Sequence, residues 1–110
     1  MGEPTPELLA FFNHLFSIKS LKTRKYLFET LDKKQLQVLG EILTNLLIGN
    51  LNIGDREKEQ LKKHRKVIRP LSNKKIGYKI RRKLILKFPT IVTKIFKLLI
   101  PLVNKFIQDK

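Results

Sequence analysis

The sequence predicts an all-α protein, a compact bundle of about five or six short helices. Three observations carry that expectation. Apolar residues recur at i, i+3, i+4 and i+7 along most of the chain. No stretch alternates with period two, as a half-buried strand would. Capping residues precede the periodic stretches, and Gly or Pro follows them. The 110 residues suit a single domain over 1–110, and a hydrophobic share of 42 % is too high for a disordered polyelectrolyte.

The first helix follows from "TPELLAFFNHLF", with Thr5 as N-cap, Pro6 at the first helical position and Glu7 at the positive helix end. Leu8, Phe11, Phe12 and Leu15 form its apolar face. A second short helix begins near Ser20, with Leu21, Leu27, Phe28 and Leu31 expected inward. In "DKKQLQVLGEILTNLLIGN", Asp32 and Gln35 have capping-box spacing, and Gly49 with Asn50 marks the stop. Leu36, Leu39, Ile42, Leu43, Leu46 and Leu47 form a broad stripe between them. Gly40 inside this helix costs on the order of 1 kcal/mol relative to Ala, which points to a close helix crossing.

Gly54 or Asp55 caps the next helix. Leu61, His64, Ile68 and Leu71 share one of its faces, and Lys58, Lys62, Arg65 and Arg69 another. Pro70 is expected to end or kink it near residues 66–69. A loop, "SNKKIG", leads to a short helix capped near Gly77 and stopped by Pro89. The last helix, "TIVTKIFKLLIPLVNKFIQ", is apolar except for a narrow stripe of Lys94, Lys97, Asn104, Lys105 and Gln108, with Pro101 on the same side.

Charge divides the chain. The formal net charge is +15, of which residues 1–54 carry +1, the basic segment 55–88 carries +11 and the apolar C-terminal helix of 89–110 carries +3. Residues 62–83 hold eleven Lys or Arg and no acid. A solvated helix face normally mixes both signs, so this stretch reads as an anion-binding surface. Nucleic acid suits charge spread over two helices and a loop, because phosphates are spaced along a strand. The candidate contacts are Lys62, Lys63, Arg65, Lys66, Arg69, Lys74, Lys75, Lys79, Arg81, Arg82 and Lys83. Segments 33–48 and 55–69 have helix-turn-helix lengths, but their connection lacks a diagnostic pattern, so a helical hairpin without base reading is expected.

Enzymatic chemistry finds no support. The chain has no Cys, and His14 and His64 stand 50 positions apart, so no metal site or cofactor is expected. Glu57 and Glu59 are two apart and cannot share a helix face. Ser17, Ser20, Ser72, Tyr26 and Tyr78 have no acid–base framework near them in sequence. Glu3 and Glu7 argue against a secretory leader, Pro6 against myristoylation at Gly2, and no apolar run is long enough to span a membrane.

A pattern extends over "GEILTNLLIGNLNIGDREKEQLKKHRKVIRPLSNKKIGYKIRRKLI". Glu41 precedes Asn45, Gly49 and Asn50. A basic helix follows with Leu61, Lys62, Lys66, Ile68, Arg69 and Leu71, and then a polar linker before Lys74, Lys75, Arg82 and Lys83. Residues 40–88 thereby resemble the small basic virion-associated proteins of adintoviruses and Polinton/Maverick-type viral elements. The tail, "KFPTIVTKIFKLLIP", lacks the Gly pair with which such proteins often continue. The resemblance implies a virion-associated protein, comparable to adenovirus-like core or membrane-active minor proteins, located in the host nucleus or the virion.

The resulting expectation is a helical protein that binds nucleic acid, duplex DNA foremost, without strong sequence preference. The alternative is a membrane-active minor virion protein. It would insert Ile91, Ile95, Phe96, Leu99, Leu102 and Phe106 of the amphipathic helix 90–108 into an anionic membrane. A third reading is a helical adaptor whose apolar tail docks on a partner protein, with other virion proteins or a second copy of the chain as the partners.

Overall fold

A computed structural model of the chain describes residues 5–47, 49, 51 and 53–108, with the backbone alone at 106–108. Among these residues there are seven helices and no strand. They are α1 (Pro6–Ser17), α2 (Leu21–Glu29), α3 (Lys33–Leu47), α4 (Asp55–Lys62), α5 (Arg65–Ser72), α6 (Tyr78–Lys87) and α7 (Pro89–Gln108). The all-α class therefore holds, with seven helices in place of five or six.

Local signals set most of the boundaries. Thr5 Oγ1 accepts from Leu8 N–H at 3.1 Å, and Ser20 Oγ accepts from Thr23 N–H at 3.2 Å, so two helix starts are capped by side chains. At α3 the capping box closes both ways. Asp32 N–H donates to Gln35 Oε1 at 2.8 Å, and Gln35 N–H donates to Asp32 Oδ1 at 2.7 Å. Gly49 takes φ +81°, the left-handed conformation that ends a helix without a Cβ penalty. Gly77 precedes α6, and Pro89 opens α7 at the position where its missing N–H costs nothing.

The additional helix comes from a break that no residue type marks locally. The chain turns at Lys63 and His64, where His64 N–H donates to Leu61 O at 3.0 Å. His64 O then accepts from Val67 N–H at 2.9 Å and Ile68 N–H at 3.0 Å, which starts α5. On an uninterrupted helix Val67 would lie about 120° round from Leu61. With the turn, Leu61, Val67, Ile68 and Leu71 are all buried. Pro70 accordingly lies inside α5 instead of ending it.

The core has two connected parts. Around α1, α2 and α7, the Phe16 ring stacks on Phe96 at 5.1 Å and lies 6.0 Å from Phe28. Buried aromatic pairs of this kind contribute about 0.5–1.5 kcal/mol beyond area burial. Around α3, α5 and α6, Leu36, Leu39, Leu43, Ile68, Leu71 and Ile85 close a branched aliphatic layer. Leu21 and Leu47, expected inward, are 42 % and 52 % exposed, because each lies at a helix end where the stripe runs past its neighbour. Leu61 is the sole fully buried residue of α4, which is a peripheral helix.

Candidate nucleic-acid interface

Nine of the eleven candidate cations are exposed: Lys62, Lys63, Arg65, Lys66 and Arg69 along α4 and α5, Lys74 and Lys75 in the following loop, and Lys79 and Lys83 on α6. The loop is shaped by Asn73, whose Oδ1 accepts from Lys75 N–H at 2.9 Å. Acidic neighbours do little to neutralise this set. Among the described residues the one ion pair joins Lys62 to Glu59 at 3.5 Å, with both side chains more than 70 % exposed. Exposed pairs contribute at most about 1 kcal/mol.

Arg81 and Arg82 need a correction, because their guanidinium groups are engaged inside the fold. Arg81 is 6 % exposed. Its Nε donates to Leu71 O at 2.8 Å and its Nη2 to Asn73 O at 3.0 Å, while the single Thr44 hydroxyl proton is shared between Gly40 O at 3.0 Å and Ser72 O at 3.3 Å. The last carbonyls of α5 are thus held by side chains from α3 and α6, where the negative helix end favours a cation. Burial lowers the Arg81 pKa from its usual value, and Glu41 partly opposes that shift. An arginine remains charged in proteins even so.

Gly40 makes this arrangement possible. A Cβ at that position would come 2.8 Å from Arg81 Cζ. The close crossing expected at Gly40 is therefore made by a guanidinium from α6. Arg82 acts similarly at a second helix end. Its Nη2 donates to Leu31 O beyond α2, and its Cζ lies 5.7 Å from the centre of the Tyr78 ring. Neither arginine lies off the packed faces, as a contact residue for phosphate would.

The fold also brings together cations that the sequence kept apart. Lys63 and His64, at the α4–α5 turn, share a groove of about 490 Å³ with Lys94, Lys97 and Leu98 of α7. Lys94 and Lys97 belong to the narrow polar stripe of the last helix, and only tertiary packing joins that stripe to the basic segment. A different pocket, of about 370 Å³, lies beside Arg81 between α3 and α6. It mixes Lys33 and Lys74 with Glu41, so its charge is not of one sign.

The membrane-facing set is placed differently from the expectation. Ile95, Phe96 and Leu99 are fully buried, and Ile91 and Leu102 are partly buried against the core. The Phe106 side chain lies outside the described residues. The reason is that α7 packs chiefly on α1, with α2 and α6 beside it, so its apolar face is used internally. Among the described residues no helix is long and apolar enough to cross a membrane.

No family model, curated protein or solved structure matches the chain.

Proposed function

We propose that the protein binds nucleic acid, duplex DNA foremost, through backbone phosphates and without strong sequence preference. The observation that carries this reading is the exposed set Lys62, Lys63, Arg65, Lys66, Arg69, Lys74, Lys75, Lys79 and Lys83, which has a single acidic partner among the described residues. Cations held on packed helices keep their spacing without a folding cost at binding, and each neutralised phosphate releases counterions. Arg65 and Arg69 add forked donors that bridge two phosphate oxygens. The resemblance of residues 40–88 to virion-associated basic proteins supports genome condensation in a viral core, in the host nucleus or the virion.

Fluorescence anisotropy with unrelated mixed-sequence duplexes of equal length tests this. Their affinities should agree within about threefold. The variant Arg65→Gln, Arg69→Gln, Lys79→Gln, Lys83→Gln should lose most of the affinity while its helical circular dichroism stays unchanged, since all four side chains are exposed. Retained affinity in that variant, or binding to phosphatidylserine vesicles with none to duplex, would overturn the proposal.

A further inference from the structure

Three lysines and a histidine line the groove between the α4–α5 turn and α7. Lys63 and His64 form one wall and Lys94 and Lys97 the other, with Gln60 and Leu98 completing the lining. Among the described residues no carboxylate lines it. A helix face that only needs solvation does not require this convergence, because like charges brought together from separate elements repel. The arrangement suits an anion that offers several oxygens along a line. Lys94 and Lys97 are exposed, three residues and so about 4.5 Å apart along the α7 axis. Flexible lysine side chains at that spacing reach neighbouring phosphates of one strand.

We infer that this groove is a seat for the sugar-phosphate backbone of a nucleic-acid strand, so that the bound strand crosses from the α4–α5 surface onto α7. Lys63, Lys94 and Lys97 donate to the non-bridging phosphate oxygens, and half-buried Leu98 lies under the sugar. The inference rests on the proposed nucleic-acid binding and adds to it a further element, α7, and a direction of travel. It brings into the interface two lysines of a helix whose other faces are core.

The test measures duplex affinity against salt for the full chain, for Lys94→Gln/Lys97→Gln, and for a control, Lys22→Gln/Lys25→Gln. The control removes the same charge from exposed positions of α2. Removing one lysine–phosphate interaction lowers the slope of log K against log[salt] by about 0.9, so the slope of the groove variant should fall by about 2. The slope of the control should fall by less than about 0.5, because its lysines touch no phosphate. An unchanged slope in the groove variant overturns the inference while leaving the proposed function standing. Equal decreases in both variants also overturn it, since net charge alone would then explain them. If the unaltered chain does not bind duplex at all, the proposed function fails and the inference fails with it.

Discussion

Arginine and lysine have different roles in this chain. Every lysine at a described position is exposed. Three of the six arginines instead bind carbonyls at helix ends. Arg24 Nη1 donates to Ile18 O beyond α1 at 2.6 Å, Arg82 serves Leu31 beyond α2, and Arg81 serves the end of α5. The planar guanidinium offers donors in fixed directions that an ammonium lacks. Gly40 and Arg81 therefore form an energetic pair, in which the bare glycine leaves room for one specific side chain. Gly40→Ala gains up to about 1 kcal/mol of helix propensity but displaces a guanidinium that holds two carbonyls. The expected outcome is a net destabilisation of about 1–3 kcal/mol for Gly40→Ala in urea unfolding, from the hydrogen bonds that the displaced guanidinium gives up. In an Arg81→Met background, itself destabilised by roughly 2 kcal/mol or more, the same change should become stabilising. The same sign in both backgrounds would contradict the pairing.

At the scale of elements, the helix starts were the most legible feature, because a cap is a local interaction among four residues. The Asp32–Gln35 box is the clearest case. Asp32→Ala should cost about 1 kcal/mol, within the usual range of about 0.5–2 for removal of an N-cap, measured by thermal or urea unfolding. No change in stability would show that α3 is held by packing alone. The turn at Lys63 and His64 was not legible, since neither residue is a helix breaker and Pro70 is the stronger local signal. Burial of Val67 decides the matter, and that depends on tertiary packing. The Arg81 and Arg82 pair misled for a related reason. In sequence they continue a basic run, whereas the carbonyls they hold, at Leu71 and Leu31, lie 10 and 51 residues away. The exposed lysines were readable from the charge run, but their junction with Lys94 and Lys97 required the packing of α7.

For the whole molecule, the balance between core and charge decides what the surface is free to do. Val92, Ile95, Phe96, Leu99, Ile100 and Val103 are buried on α7. Lifting α7 off the bundle would leave bare the core faces of α1, α2 and α6 that cover those side chains, a loss on the order of 10 kcal/mol, which is comparable to the entire stability of a small domain. Insertion of α7 into a lipid surface would thus compete with folding itself, whereas the lysine-rich surface is available with the fold intact. The chain is nearly isometric, 32 × 31 × 29 Å. Binding through phosphates is tested most directly by the affinity of the unaltered chain for mixed-sequence duplex DNA as salt rises. With about six to ten phosphate contacts, affinity should fall by about 10³–10⁵ between 50 and 200 mM salt. An affinity that changes less than about tenfold over that range would contradict phosphate neutralisation as the source of binding.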